Sequence, residues 1–236
     1  MMNEASKYTA PKSEYTLVFD TETTGLIPKR KHIQQLGKMS EKALLAEMPW
    51  AVQLACTLYR DVDQWPIAHF SSYILTETPD HGRGEPPRGV AFFEENKLLP
   101  EYTRPTAISM HMGLDFFGAM LNRADRLVAH NISYDAKIMY YWYLRERGVI
   151  PPAFTSLPMY CTKEALTDIM RLPNKWPGSY KWPTMMEAYK HFIDPEGFSG
   201  DHDAMVDTSA CAEVYYATRK MGIEYQEVKV PLELFA

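Results

Sequence analysis

Asp20 and Glu22 are the first residues whose types and spacing could do chemistry. They stand one residue apart in Val18-Phe19-Asp20-Thr21-Glu22-Thr23-Thr24-Gly25-Leu26. The apolar run 15–19 before them reads as a buried strand. Alternate strand residues share a face, so the two carboxylates project side by side. Such a pair repels and loses hydration unless a proton or a cation neutralises it. Hard divalent metals favour oxygen ligands of this kind. The small Thr23-Thr24-Gly25 that follows can bring its backbone close to a ligand. A strand ending in an acidic turn is the plain alternative, so a site needs partners from elsewhere in the chain.

Two helices provide them. On an expected helix over 133–147, Ile138, Met139 and Trp142 form an apolar stripe. Stepping back three and four residues lands on Asp135. On an expected final helix over 203–220, Ala210, Cys211, Val214 and Thr218 form the inward stripe, and the same step lands on Asp207. Positions i, i+3, i+4 and i+7 share one helical face, so both acids should point at the sheet. An acid in the first turn complements the helix macrodipole, which explains the turn but not the face. Four inward carboxylates suit two divalent ions engaged in phosphoryl chemistry, one activating water and the other stabilising a leaving 3′-oxygen.

The elements that must position these acids follow in order. Residues 50–59 and 66–76 read as a second and third strand joined by the turn at 61–64, hence antiparallel neighbours of the first. A loop over 77–89, a helix over 113–125 and a strand over 126–129 come next. The helix over 133–147 is closed by Gly148, with Pro151 and Pro152 beyond. A fifth strand over 158–161 precedes a helix over 163–171. Residues 172–182 form a loop holding Lys175-Trp176-Pro177 and Lys181-Trp182-Pro183. Its tryptophans are expected to pack on the body; stacking against a single strand is the alternative. Pro183 suits the first turn of a helix reaching 193. A meander followed by strands alternating with helices implies α/β architecture, a mixed sheet with helices on its faces.

Of the 236 residues, 46% are hydrophobic and 23% charged, values of a globular domain. The expected division is a flexible lead-in over 1–13, one domain over 14–222 and a tail over 223–236. Within the domain, 27–48 reads as an insertion. Its first part is basic (Lys29, Arg30, Lys31, His32), and could meet a phosphate backbone or simply be solvated. Its second part is a short helix capped by Ser40. The formal charge of -5, from 25 basic and 30 acidic residues, argues against non-specific binding of long duplexes. It leaves open an enzyme whose cations are bound metals. Cys56, Cys161 and Cys211 lie far apart and suggest reduced, buried thiols in a cytoplasmic protein. Neither a signal peptide nor an apolar run approaching the roughly 20 residues of a membrane span is evident.

Three blocks together resemble the DEDDh family of 3′-5′ exonucleases, which includes the proofreading subunit of bacterial DNA polymerase III. They are Phe19-Asp20-Thr21-Glu22-Thr23-Thr24-Gly25-Leu26, Ala129-His130-Asn131-Ile132-Ser133-Tyr134-Asp135 and His202-Asp203-Ala204-Met205-Val206-Asp207. Ala107-Ile108-Ser109-Met110-His111-Met112-Gly113 is a weaker fourth match. His202 stands where the family's sister branch carries a tyrosine. The resemblance implies an RNase H-like fold, a five-stranded mixed sheet with strand two antiparallel and flanked by helices. It implies that Asp20, Glu22, Asp135 and Asp207 bind two Mg²⁺ or Mn²⁺ ions and that His202 deprotonates the attacking water. Thr23, Thr24, Gly25 and Leu26 would hold the terminal nucleotide through backbone groups and an apolar wedge, with His111 and Asn131 as lesser contacts.

The expected activity is release of nucleoside 5′-monophosphates from 3′ ends of single-stranded DNA, in replication, proofreading or repair. Trimming of RNA 3′ ends is the alternative within the class, and a non-catalytic nucleic-acid-binding module the alternative outside it. Leu232, Leu234 and Phe235 near the C-terminus either pack on the domain or dock a partner. Residues 232–235 resemble the peptides by which bacterial replication proteins hold the sliding clamp, except that Pro231 stands where those have glutamine. A DNA polymerase or the clamp would be that partner.

Overall fold

The computed structural model describes residues 14–29, 40–76 and 93–223. The lead-in, most of the basic run (Arg30, Lys31, His32), the loop expected over 77–89 and the tail with Leu232, Leu234 and Phe235 lie outside those residues.

The frame is a mixed sheet. Strand β1 (Tyr15–Thr23) pairs antiparallel with β2 (Ala51–Arg60), which pairs antiparallel with β3 (Trp65–Leu75). A two-residue strand, β4 (Ile108–Ser109), adds parallel to β3 at the edge. On the other side β1 pairs parallel with β5 (Arg126–Ala129), and β5 with β6 (Met159–Cys161). The order is β4-β3-β2-β1-β5-β6, so β1 is central. Strand two is antiparallel as expected, but the described residues form six strands instead of five. The extra one, pairing Ile74 with Ile108 and Leu75 with Ser109, is too short to leave a period-two signal.

Helices cover both faces. Helix α1 (Glu41–Glu47) is capped by the Ser40 hydroxyl, which accepts from the Ala43 amide. A short α2 (Pro100–Thr103) precedes α3 (Met110–Leu121) and α4 (Ile132–Arg147). Then follow α5 (Pro152–Ser156), α6 (Thr162–Met170), α7 (Met185–Phe192) and α8 (Ala204–Lys220). Leu17 and Phe19 of β1 face α3 and α4, where Phe19 meets Phe117 edge-on at 5.3 Å between ring centres. Val18 faces the other way, into a core of Leu166, Met185, Ala210 and Val214. β2 is buried from Ala51 to Leu58 because helices cover it on both sides. Gly113 lets α3 approach: a Cβ there would lie 2.9 Å from the Trp142 ring and 3.0 Å from Ile74.

Two expected helix starts shift by more than one residue. α3 begins at Met110, because Ser109 accepts from the Met112 amide and caps it earlier. α7 begins after Pro183, not on it. Thr184 is the cap, in a reciprocal box with Glu187, and the Pro183 carbonyl is taken by His130. No helix among the described residues is long and apolar enough to cross a membrane.

Candidate active site

β1 carries Asp20 and Glu22 on the face of Val18, towards α8, while Thr21 between them faces α4. Just past Glu22 the β1–β2 register shifts, Glu22 lying opposite Gln53 and Thr23 opposite Ala51. An extra residue of this kind bends the ladder and re-aims the strand end. The turn beyond is tied down. Thr24 exchanges two bonds with Trp50, its amide donating to the Trp50 carbonyl at 2.9 Å and its hydroxyl accepting from the Trp50 amide at 3.0 Å. The Gly25 carbonyl accepts from the Tyr134 hydroxyl at 2.6 Å and the Thr23 hydroxyl at 2.9 Å. Leu26 stands out at 66% exposure.

Asp135 sits in the first turn of α4 and is buried. Its Oδ1 accepts from the Thr21 amide at 3.1 Å and the Thr21 hydroxyl at 2.7 Å. Asp207 sits in the first turn of α8, and its Oδ2 accepts from the His202 amide at 3.0 Å. The helix start is pinned by Asp203, which accepts from the Met205 and Val206 amides, and by buried Gln53 of β2. The Gln53 amide group donates to Asp203 at 3.1 Å and accepts from the Ala204 amide at 3.2 Å. Glu22 and Asp207 are thereby registered to each other through a neighbour of Glu22 in the sheet.

His202 lies on the turn before α8 in a left-handed conformation, φ 68°. Such a conformation is strained for a side chain with a Cβ, and the amide bond to Asp207 helps hold it. Ligand atoms of Glu22, His202 and Asp207 lie within 4.8 Å of one another.

The electrostatics follow from the crowding. Asp20 keeps some exposure as a residue, yet burial of its carboxylate raises its pKa well above the ordinary value, and the charges of Asp135, Glu22, Asp207 and Asp203 add to the rise. Burial pushes Asp135 up to about 7, against the opposing pull of the Thr21 bonds. Burial pushes Asp207 up to about 6, opposed by the His202 amide. These carboxylates cannot all ionise together near neutral pH without a cation between them. The four carboxylates offer hard oxygen donors alone, which fits Mg²⁺ or Mn²⁺.

Asp20, Glu22, Asp135, His202 and Asp207 are thus brought to the carboxyl end of β1. Thr23, Thr24, Gly25 and Leu26 line the adjoining turn, though the Thr24 side chain and amide are already engaged. Asn131 caps α4 at φ 80° and accepts from the Lys163 ammonium. His111 is not brought in. Its Nδ1 pairs with Glu146 at 2.5 Å, eleven residues along α4 from Asp135, or about 16 Å at 1.5 Å per residue.

Thr21, Gln53, Tyr134 and Lys163 escaped the sequence reading, because each works across elements that no spacing rule connects. The loop before α7 also departs from expectation. Trp176, Tyr180 and Trp182 are exposed by 74%, 42% and 62% instead of packing on the body.

No protein-family model matches the chain, and no curated protein does. Solved structures do match its fold. E. coli exonuclease I in complex with a dT13 oligonucleotide superposes at a TM-score of 0.59 with 14% identity, over 87% of this chain and 41% of that one. A zinc-ion-bound form of the E. coli exonuclease I complex with single-stranded DNA gives 0.60 and 14%, over 94% and 42%. The nuclease domain of 3'hExo, a DEDDh family member bound to rAMP, gives 0.62 and 10%, over 92% and 97%. This chain therefore spans about two fifths of exonuclease I but nearly the whole 3'hExo nuclease domain. With β1 central, β2 antiparallel and helices on both faces, the chain has the RNase H-like fold of the DEDDh exonucleases.

Proposed function

We propose that this protein is a metal-dependent 3′-5′ exonuclease that releases nucleoside 5′-monophosphates from single-stranded DNA ends. The observation that carries this reading is the convergence of Asp20, Glu22, Asp135 and Asp207 from β1, α4 and α8, with His202 beside Glu22 and Asp207. Asp20, Glu22, Asp135 and Asp207 would hold two Mg²⁺ or Mn²⁺ ions. When bound, these ions supply charge stabilisation at the attacking and leaving oxygens of an in-line displacement.

The chain's own residues do the rest. The His202 imidazole takes the proton of the attacking water, a role in which imidazole is the commonest side chain. The turn at Thr23, Thr24 and Gly25, held by Trp50 and Tyr134, presents a fixed backbone to the terminal nucleotide. A Cβ on Gly25 would meet nothing within 4 Å, so that side of the turn is open. Leu26 beside it supplies the apolar wedge. Asn131, oriented by Lys163, is a further contact.

RNA 3′ ends are the second reading, favoured by the likeness to a 3'hExo domain bound to rAMP. The three described thiols are buried and unpaired, which suits the reducing cytoplasm. On its sequence, residues 232–235 dock a sliding clamp or polymerase in replication or repair. Deleting 232–236 and measuring clamp binding beside the clamp-free rate tests that role.

The activity is tested with 5′-labelled single- and double-stranded DNA and RNA, with and without Mg²⁺. A ladder shortening from the 3′ end only with metal supports the reading, and the DNA-to-RNA rate ratio assigns the sugar. All four substrates staying at full length with Mg²⁺ leaves the non-catalytic module in its place.

A further inference from the structure

The segment 171–183 is an ordered loop that presents aromatic rings to water. Its ends are joined by the Lys181 amide donating to the Leu172 carbonyl at 3.0 Å. Inside it, Asn174 donates to Ser179 Oγ at 3.0 Å and to the Tyr180 carbonyl at 3.3 Å. The Ser179 hydroxyl donates to the Trp176 carbonyl at 3.2 Å, and Gly178 takes the φ of 83° that this tight path needs. A loop stapled by four hydrogen bonds of its own does not need its rings for packing, and Trp176 and Trp182 are the two most exposed rings in it.

The loop is also joined to the acid cluster. The Lys163 ammonium sits 4.1 Å from the centre of the Trp182 ring and donates to Asn131, the cap of the helix that carries Asp135. The next residue, Pro183, is held by its carbonyl to His130 at 3.0 Å. A second cation, Arg171, lies 5.9 Å from the centre of the Tyr180 ring. Lys175 is exposed beside Trp176. Rings with cations over or beside them suit a polyanion whose flat groups are free to stack, which describes a single-stranded nucleic acid. A duplex hides its base faces, and an acidic protein segment would meet the cations but offers no row of flat groups to the exposed rings.

We infer that the 171–183 loop is the platform on which the single strand rests upstream of its reacting 3′ end, with unpaired bases stacked on Trp182 and Trp176. This rests on the exonuclease reading for its direction but not for its binding chemistry. It also accounts for how an acidic chain can hold its substrate. Charge neutralisation is confined to one rim, and stacking supplies the remainder.

The test compares the full chain with Trp182→Ala, Trp176→Ala and Trp65→Ala. Trp65 is an equally exposed tryptophan, 63%, but it pairs with Arg60 at the end of the sheet away from Glu22. Anisotropy of fluorescein-labelled 12-nucleotide dT and of a blunt 12-base-pair duplex is read in EDTA, so that nothing is hydrolysed. Loss of a stacked base should weaken single-strand binding by about 5- to 100-fold for each loop variant. Trp65→Ala should stay within twofold, and duplex affinity should not follow the loop variants. Loop variants within twofold of wild type overturn the platform, as does a parallel loss on duplex or a wild type that binds neither ligand. A metal-dependent assay of wild type on thymidine 5′-(p-nitrophenyl phosphate) runs alongside. Failure there removes the catalytic reading and leaves the binding result intact.

Discussion

Thr21 holds Asp135 across 114 residues of sequence by two bonds to one carboxylate oxygen, the amide at 3.1 Å and the hydroxyl at 2.7 Å. The residue lies between Asp20 and Glu22 but on the opposite face of the strand. One strand therefore presents two acids on one side and clamps a third acid on the other. Without the clamp, the burial of Asp135 would be opposed only by its own backbone amide and the charge of Lys163, and its pKa would rise further above about 7.

Thr21→Val removes the hydroxyl bond and keeps both the shape and the amide bond. A hydrogen bond to a charged group contributes about 1.5–3 kcal/mol, so the expected effect is about a tenfold or larger rise in the Mg²⁺ concentration for half-maximal activity. Thr21→Ser should restore most of it. Thr21 is a positioning residue, so the metal titration is the readout that matters. A purely structural role would lower thermal stability while leaving that titration unmoved.

Asp20→Asn and Asp207→Asn should each abolish nuclease activity while raising the melting temperature of the metal-free protein. Removing one carboxylate from a crowded set relieves the burial cost and then the repulsion that together raise Asp20. Each kcal/mol regained corresponds to about 2–4 °C at this chain length. The comparison is made by calorimetry in EDTA, beside the activity assay in Mg²⁺. Near-normal turnover in either variant removes that acid from the site.

Much of this was legible in the sequence, and the reason differs from part to part. β5 is found with the expected bounds because its short apolar run stands between polar neighbours, and α8 one residue from its expected start because its inward stripe follows the cap at Asp203. The inward turn of Asp135 and Asp207 could be read from the stripes of Ile138 and Met139 and of Ala210 and Cys211, since helical geometry leaves those acids no other face. The anchor of α8 on Gln53 joins residues 150 apart by a side-chain bond, and no periodicity reports such a bond. The rings of the 171–183 loop were expected inside because tryptophan is usually buried. Asn174 and Ser179 close the loop on itself and leave those rings outside.

His202→Ala should lower turnover by about 10²- to 10⁴-fold, the scale of losing a general base. The same substitution also removes an imidazole whose ligand atom lies within 4.8 Å of those of Glu22 and Asp207. Binding of Mn²⁺, followed by calorimetry, separates the two roles. An affinity within a few-fold of wild type assigns His202 to the proton. A loss as deep as that of Asp207→Asn makes it a ligand.

The last expectation concerns acid stability and His130, which is not among the proposed metal ligands. Its Nε2 donates to the Pro183 carbonyl at 3.0 Å, so in the neutral ring Nδ1 accepts from the Thr162 hydroxyl at 2.8 Å. Burial lowers its pKa from 6.5 to about 4; the Pro183 bond opposes the shift and the charge of Lys163 adds to it. The folded state therefore prefers the neutral ring. Its contribution to stability is complete above pH 6.5 and is lost as pH falls through about 4. At about 1.4 kcal/mol per pH unit, the loss across that window is on the order of 3 kcal/mol. The raised carboxylates act in the opposite sense in metal-free protein, since protonation relieves them, so the raw profile mixes the two. Urea unfolding of wild type and His130→Gln at pH 7, 5.5 and 4 isolates the histidine, because the carboxylates are common to both. The stability gap between the two proteins should shrink by about that amount on going from pH 7 to 4. A gap that stays constant across the range would mean that His130 takes up its proton without disturbing its bonds to Pro183 and Thr162.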